Sequence, residues 1–297
     1  MKNLWNEEEA AVCGDDPLAL RVYSSRLIGC ASDLVLHGGG NTSVKAEFTD
    51  IFGAGHEVLY VKGSGWDLAT IEAAGFSPVA LDALMQLSRF DVLSDADMVR
   101  AQRAAMLDPG APNPSVEAIL HALIPFRFVD HTHADAVVTL TNTPGGEARI
   151  RELYGDRLLV VPYVMPGFVL AKKVAQMTEG VDWTTLQGMV LMNRGIFSFA
   201  DDARESYTRM IDLVTEAEQA LGATSIPTIG QSSASALELA TIRYEVSRAA
   251  NRSMLAAFSG SPQSHCFSKR DDVASIATRG PLTPDHVIRT KRVPLIV

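Results

Sequence analysis

The chain has 297 residues, of which 47% are hydrophobic and 21% are charged, and its formal net charge is −9. This length and apolar content suffice for one sizeable core, or for a core with an appendage. The acidic net charge and the lack of a basic stripe disfavour nucleic-acid binding. An acidic composition still allows local basic pockets for small anions.

The cysteines and the N-terminus bear on the compartment. Cys13, Cys30 and Cys266 are widely spaced, which favours free thiols in a reducing environment over a disulfide framework or a zinc ribbon. The acidic N-terminus has no apolar signal-peptide core, and no run approaches the roughly 18 apolar residues of a membrane span. We therefore expect a soluble, cytoplasmic protein without a membrane partner.

Helical and strand patterns are interspersed along the first 221 residues, which predicts an α/β fold. Apolar periodicity predicts a helix over 16–35 that ends at the glycine cluster 38–40. The other predicted elements follow in chain order. Strands are predicted at 41–45 and 57–62, helices at 79–90 and 96–106, a loop at 108–114 and a helix from about Ser115. Residues 128–140 indicate a strand that leads into a buried apolar stretch, and further strands at 158–164 and 188–192 and a helix at 201–221 follow.

The composition changes near Gly222. Residues 222–235 are small, polar and rich in turn formers, which predicts a linker, and a helix is predicted over roughly 234–258. The locally basic stretch 283–292 indicates either an anion site or, as the favoured interpretation, a solvated loop before a strand. The apolar end VPLIV needs a partner, which suggests the front part of a longer protein or pairing within an oligomer.

The segment Asp130-His131-Thr132-His133-Ala134-Asp135 is the strongest candidate for chemistry. Residues two apart on a strand face the same side, so both imidazoles can converge on one cation such as zinc. Asp130 and Asp135 are candidates for orienting the imidazoles by hydrogen bonds. Two histidines at a polar strand end are the alternative interpretation.

Glu117, in the segment Pro114-Ser115-Val116-Glu117, is a candidate general acid/base or metal ligand. A proline, a serine and an acidic residue at an ordinary helix start explain the same segment.

Two glycine-rich segments, Gly38-Gly39-Gly40-Asn41-Thr42-Ser43 and Lys62-Gly63-Ser64-Gly65, can cradle a phosphate or a carboxylate. A helix cap followed by a turn and a tight turn after a strand explain them equally well. Neither segment matches a P-loop or a dinucleotide-binding fingerprint.

Taken in order, these segments resemble the class II aldolase/adducin family over roughly residues 18–221. The matching motifs are Gly40-Asn41-Thr42-Ser43, Gly63-Ser64-Gly65, Pro114-Ser115-Val116-Glu117 and His131-Thr132-His133. The flanking sequence is most similar to the aldolase part of bifunctional proteins that join a rhamnulose-1-phosphate aldolase-like domain to a short-chain dehydrogenase. The resemblance implies a three-layer fold over 1–221, with a central, mostly antiparallel sheet flanked by helices, and a C-terminal helical extension over 222–297.

The resemblance also implies roles for individual residues. His131 and His133 are expected to bind a divalent metal, zinc above all, and Glu117 is expected to be the catalytic acid/base. The phosphate of a sugar phosphate is expected to contact Gly40, Asn41, Ser43, Gly63, Ser64, Gly65 and Ser115. A homotetramer is the expected assembly.

One position departs from the family pattern. The third histidine ligand of the family belongs to an N-H-G motif, and the corresponding segment here is Asn193-Arg194-Gly195. Arg194 cannot ligate a cation, because it stays protonated and offers no lone pair. Two imidazoles with one carboxylate can still form a three-ligand site, another histidine can substitute (His37, His121, His265 or His286), or the site lacks metal and Arg194 binds an anion.

Two functional hypotheses follow. The first is metal-dependent cleavage of a ketose 1-phosphate, similar to rhamnulose 1-phosphate, into dihydroxyacetone phosphate and an aldehyde, with Glu117 moving the proton. The second is a catalytically impaired or non-catalytic binding module on the same fold, which the replacement by Arg194 favours.

Overall fold

The computed structural model of the chain describes residues 1–222, 233–289 and 291–296, and most of the predicted linker 222–235 lies outside them. Two compact units are present. The first consists of Met1–Gly222 together with Leu282–Lys291, and the second of Ala223–Pro281 together with Arg292–Val297. The C-terminal segment Leu282–Lys291 thus belongs to the unit that carries all the predicted motifs.

Seven strands form one sheet in the first unit. They are β1 (Asn41–Thr49), β2 (Gly55–Lys62), β3 (Phe76–Ala80), β4 (Phe128–Thr132), β5 (Leu158–Val161), β6 (Gly188–Leu191) and β7 (Gly195–Ala200). Their order in the sheet is β3-β2-β1-β4-β7-β6-β5. Only β5 and β6 run parallel, so the prediction of an α/β fold with a mostly antiparallel sheet is confirmed.

The helices are short except for one in each unit. They are α1 (Glu7–Ala11), α2 (Pro17–Gly29), α3 (Leu81–Leu87), α4 (Asp95–Ala104), α5 (Ala118–Leu123), α6 (Asp135–Thr141), α7 (Gly146–Tyr154), α8 (Phe168–Met177), α9 (Ala203–Leu221), α10 (Ala236–Ala250), α11 (Pro262–Ser268), α12 (Val273–Ala277) and α13 (Pro284–Arg289). Helices α10 to α12 lie in the second unit, so the predicted helical extension is confirmed. None of the helices within the described residues is long and apolar enough to cross a membrane.

Two apolar clusters cover the two faces of the sheet. Along the adjacent strands β6 and β7, Val190 and Ile196 belong to one cluster, which also contains residues of α2, α6, α7 and α9. Met189 and Phe197 belong to the other, which contains residues of α3, α5 and α8. Because neighbouring strand residues point to opposite faces, this alternation places helices on both sides of the sheet.

Several element predictions differ from the structure. The helix predicted over 16–35 ends at Gly29, and the helix predicted over roughly 234–258 ends at Ala250. Residues 76–80 form β3, although a helix was expected to begin at 79. This strand lies at the sheet edge, where the missing N–H of Pro78 leaves no ladder bond unmade. Strand β7 was not predicted, because a short and fully buried strand carries no alternation. Strand β1 extends to Thr49 through its pairing with β2, beyond the end that was predicted at residue 45.

Candidate active site

Neighbouring strands bring the histidine and asparagine motifs together. Asn41 of β1 pairs in register with His131 of β4, and His131 pairs with Phe197 of β7. The imidazole of His131 stacks on the Phe197 ring with a centroid distance of 4.2 Å. The backbone turns sharply just before Asn41, where Gly40 has φ 60° and a Cβ would lie 2.8 Å from the His131 carbonyl oxygen. Only glycine fits this turn without strain.

The second glycine turn is held against the loop before α5. Ser64 N–H donates to the Asn113 carbonyl at 2.8 Å, and Ser115 N–H donates to the Lys62 carbonyl at 3.1 Å. A Cβ on Gly63 would lie 2.4 Å from Pro112, so a side chain there would separate the two segments. The predicted phosphate-binding residues Ser64 and Ser115 are therefore neighbours in space.

These segments enclose one cavity of about 580 Å³ in the first unit. All of the predicted site residues line it except His131 and Ser43. His131 lies directly behind Glu117, with its Nε2 3.6 Å from Oε2 of that carboxylate. The Ser43 hydroxyl instead bonds Nδ1 of buried His121 at 2.8 Å, and its contact with phosphate stays a prediction. Lys62, from the second glycine segment, also lines the cavity, and lining residues that were not predicted include Tyr163 and Met165.

Glu117 is the buried acid of the cavity, with 2% of its surface exposed. Arg194 Nη2 lies 2.6 Å from Oε1, and Asn41 Nδ2 donates to Oε2 at 2.6 Å. Burial raises the pKa of the Glu117 carboxyl, but neighbouring His131, the Arg194 guanidinium and the Asn41 amide lower it by more. The net result is a pKa well below the usual range, so Glu117 is an ionised carboxylate that accepts hydrogen bonds and protons.

His131 is fully buried and keeps one nitrogen without a partner. Its Nδ1 lies 3.1 Å from the Ile196 carbonyl oxygen, which can only accept, so the ring proton is on Nδ1. Nε2 then carries a lone pair and has no hydrogen-bond partner among the described residues. Burial lowers the pKa of the imidazole to about 4, and Glu117 opposes this shift only in part.

His133 lines the same cavity and contacts Asp285 from α13. Its Nδ1 bonds the Asp285 carboxylate, and the ring lies 5.0 Å from that of His131 at an interplanar angle of 80°. A carboxylate facing Nδ1 places the proton there and leaves a lone pair on Nε2. As neutral rings, both imidazoles of the predicted metal pair therefore offer an unprotonated Nε2.

The donor chemistry fits a divalent cation, although the geometry is not that of a closed three-ligand site. In the described parts of the chain, no three His, Cys, Asp or Glu side chains are gathered closely enough to hold a metal ion as they stand. The buried and unpartnered Nε2 of His131, the available Nε2 of His133 and the Glu117 carboxylate are the donor types that zinc accepts. Arg194 adds a positive charge beside that carboxylate, and its Nε is buried with no hydrogen-bond partner among the described residues.

Asp130 and His121 bond other groups instead of taking the roles that were considered for them beside the histidine pair. Asp130 does not orient an imidazole: it pairs with Arg21 Nη2 at 2.6 Å and accepts from the Ser206 hydroxyl at 2.6 Å. Successive strand residues point to opposite faces, so Asp130 faces away from His131. Of the possible substitute ligands, His121 has both ring nitrogens bonded.

Asp285 is a site residue that sequence reasoning missed. The stretch around it was interpreted as a solvated loop, yet Thr283 and Asp285 are buried and 284–289 is helical. A contact between residues 152 positions apart leaves no local pattern in the sequence.

The comparisons with known proteins identify the family of the chain. The family described as "Class II Aldolase and Adducin N-terminal domain" matches residues 21–221, and the one described as "Aldolase class II, second domain" matches residues 233–297. A curated relative, "Uncharacterized oxidoreductase YuxG" of Bacillus subtilis (strain 168), is 33% identical over 311 residues. The match covers 100% of this chain and 44% of YuxG, so the chain spans less than half the length of that relative.

Solved structures give the same fold. The N-terminal class II aldolase domain of a conserved protein from Thermoplasma acidophilum is 40% identical, with a TM-score of 0.67, covering 74% of this chain and 99% of that chain. YgbL from Klebsiella pneumoniae, a putative aldolase/epimerase/decarboxylase, is 19% identical with a TM-score of 0.50, covering 71% of this chain and 94% of its own. The chain belongs to the class II aldolase and adducin family, whose N-terminal domain accounts for residues 21–221.

Proposed function

We propose that this chain is an aldol-cleaving lyase that splits a ketose 1-phosphate, similar to rhamnulose 1-phosphate, into dihydroxyacetone phosphate and an aldehyde. The observation that carries the proposal is the buried Glu117 carboxylate, which borders a cavity of about 580 Å³ between two glycine turns and Arg194. A carboxylate excluded from water beside an anion-binding cradle suits proton transfer on a phosphorylated substrate.

The chain's own residues suggest how the substrate binds. The turns around Gly40 and Gly63 border the cavity, and with the hydroxyls of Ser64 and Ser115 they form a cradle suited to phosphate oxygens. Lys62 lines the same cavity and donates from Nζ to the Gly38 carbonyl at 2.9 Å, which stiffens the first turn. Binding the phosphate there fixes which carbons lie beside Glu117.

Retro-aldol cleavage then needs two proton movements. A base removes the proton of the C4 hydroxyl, the C3–C4 bond breaks with release of the aldehyde, and its electron pair passes to the C2 carbonyl as an enediolate. Protonation at C3 completes dihydroxyacetone phosphate. We assign proton transfer at C3 to Glu117, because its carboxylate borders the cavity. The carboxylate is ionised in the resting site, so it first takes up a proton from solvent and then delivers that proton to C3.

The negative charge of the enediolate must be stabilised by a positive charge nearby. A divalent cation on His131 and His133, with zinc as the first choice, would supply Lewis-acid stabilisation of that charge. Arg194 offers a fixed charge from the protein itself, since its guanidinium already pairs with Glu117 and has an unused buried donor. We propose that Arg194 releases Glu117 when the substrate anion arrives.

The alternative is a binding module without catalysis, and the same ion pair favours it. A carboxylate held by Arg194 at 2.6 Å is a weaker base than a free one. In this alternative the cavity binds a sugar phosphate and releases it unchanged.

Aldehyde release from rhamnulose 1-phosphate and fuculose 1-phosphate, measured with and without added zinc, tests the proposal. We expect cleavage by the wild type and a loss of about 10²- to 10⁴-fold in kcat for Glu117→Gln. Exposed Asp156→Asn, which removes a similar charge elsewhere, serves as the control and should retain activity. No release from any ketose 1-phosphate, combined with tight sugar-phosphate binding, would establish the binding module instead.

Metal content per chain, in untagged wild type and Arg194→His protein, tests the cation separately. Near-stoichiometric metal in the wild type is expected if His131 and His133 suffice with a further donor. Metal only in Arg194→His would mean that the arginine disables the inherited site. No metal in either protein would contradict the metal assignment itself.

The wider context is also part of the proposal. The 44% coverage of YuxG, which is described as an oxidoreductase, supports the interpretation that this chain corresponds to the aldolase part of a longer protein with a dehydrogenase domain. The homotetramer and the cytoplasmic location stay predictions, which light scattering and cell fractionation test.

A further inference from the structure

The segment Leu282–Lys291 lies in sequence between the two parts of the second unit but belongs to the first unit. Its helix α13 carries Asp285, a carboxylate that is 1% exposed and contacts His133, which lines the cavity. Pro284 and Val287 from the same helix line the cavity. The segment is therefore built into the candidate site.

Both oxygens of Asp285 are used by parts of that site. Oδ1 accepts from Nδ1 of His133, and Oδ2 accepts from the backbone N–H of Leu36 at 2.8 Å. Leu36 lies two residues before the glycine segment 38–40, so one carboxylate joins a predicted metal ligand to the stretch that leads into the predicted phosphate cradle. Among the described residues, neither Nδ1 of His133 nor the N–H of Leu36 bonds a second acceptor.

Gly39 makes room for this carboxylate. A Cβ built on Gly39 would lie 1.7 Å from Oδ1 of Asp285, closer than any two such atoms can approach. The residue in the middle of the glycine cluster is therefore needed for the approach of α13. Gly39 is therefore needed for close packing and not for a positive φ angle.

We propose that Asp285 is a positioning residue of the candidate active site: its carboxylate holds His133 as the Nδ1–H tautomer, so that Nε2 presents a lone pair to the cavity, and it ties that ring to the glycine turn. A role of His133 as a metal ligand rests on the proposed function. The tautomer of His133 and the link between its ring and the glycine turn do not depend on that function.

Asp285→Asn separates positioning from simple loss of structure. Asparagine has the same shape but a single acceptor oxygen, so it cannot accept from both His133 and Leu36. If its oxygen stays with Leu36, its NH₂ group faces His133 Nδ1, which must then accept, and the ring proton moves to Nε2. The lone pair would be lost from the cavity side without a change in side-chain volume.

The experiment is NMR of protein with ¹³C- and ¹⁵N-labelled histidine at one fixed pH with a chelator present, with the His133 signal assigned by His133→Gln. We expect the Nδ1–H tautomer in the wild type and the exposed control Asp156→Asn, and a changed His133 tautomer in Asp285→Asn. Gly39→Ala, which displaces the carboxylate while keeping it in the chain, should change the same signal. A wild-type Nε2–H tautomer would overturn the proposal, as would an unchanged His133 signal in folded Asp285→Ala.

Affinity for Co²⁺ alone, measured by titration calorimetry on the same proteins, gives a second readout that needs no substrate. Carboxylates that orient ligating histidines typically affect metal affinity by about 10- to 100-fold, and we expect a loss of that size in Asp285→Ala, with partial recovery in Asp285→Glu. Unchanged affinity in Asp285→Ala would count against the proposal. If even the wild type binds no Co²⁺, the metal assignment fails, and the NMR result alone then decides whether Asp285 positions His133.

Discussion

The orientation of the Asn41 amide follows from its neighbours on both sides. Nδ2 donates to Glu117 at 2.6 Å, so the amide oxygen faces His121 and accepts from its Nε2–H. His121 Nδ1 must then accept from the Ser43 hydroxyl at 2.8 Å. Burial lowers the pKa of His121 to about 3, which keeps the ring neutral, as one donor and one acceptor require.

His121→Leu tests this chain of hydrogen bonds. The substitution leaves the Asn41 oxygen and the Ser43 hydroxyl buried without a partner, and each such loss destabilises by about 1–3 kcal/mol. We expect a fall of that order in the free energy of unfolding, measured by urea denaturation. Ser43→Ala removes only the outer bond and should have the smaller effect, and an equal or larger effect of Ser43→Ala would contradict the proposed direction of the chain.

At the scale of elements, a buried ion pair joins helix α2 to strand β4. Arg21 and Asp130 are both 0% exposed, and Nη2 of Arg21 lies 2.6 Å from the carboxylate. Hydroxyls of Ser24 and Ser206 complete the contacts. Because Asp130 directly precedes His131, the pair secures the strand that carries the predicted metal ligands.

Arg21→Met should be strongly destabilising, because it leaves the Asp130 carboxylate buried without its charge partner. Breaking one side of such a pair typically costs about 3–5 kcal/mol, whereas replacing both sides with apolar groups is often close to neutral. We expect Arg21→Met/Asp130→Leu to be more stable than Arg21→Met in urea unfolding. A double variant less stable than the single one would show that the hydroxyl contacts, and not the unpaired charge, dominate.

At the scale of the whole molecule, two buried histidines link stability to pH. Burial lowers the pKa of His131 to about 4 and that of His121 to about 3, from an ordinary value of 6.5. Between those values and 6.5 the unfolded chain binds more protons than the folded one. Stability therefore falls as the pH drops from 6.5 towards 4, by at most about 1.4 kcal/mol per pH unit for each histidine.

Urea unfolding at pH 7 and pH 5, with a chelator present, checks this dependence. We expect a lower unfolding free energy at pH 5 and a smaller difference between the two pH values in His121→Leu. Ser43→Ala keeps the titrating ring and should retain most of the wild-type difference. Equal stability at both pH values would mean that neither histidine resists protonation in the folded chain.

Patterns along the chain determined much of the fold. Helix α9 and strands β1 and β2 were predicted because apolar residues recur along each of them at the spacing of a helix or of a strand. Strands β3 and β7 were missed, since an edge strand with a proline and a fully buried strand lack that repeat. The α/β class survived these errors because it depends on the succession of elements and not on their exact number.

The sequence by itself determined the class of fold, the motif residues and the departure at Arg194, because each is expressed by residue type and local spacing. Only the tertiary structure decided that Arg194 pairs with Glu117, that Asp130 pairs with Arg21, and that Asp285 contacts His133. The partners of the last contact are 152 positions apart. Contacts of this kind are selected by the packing of whole elements against the sheet, and local spacing carries no record of them.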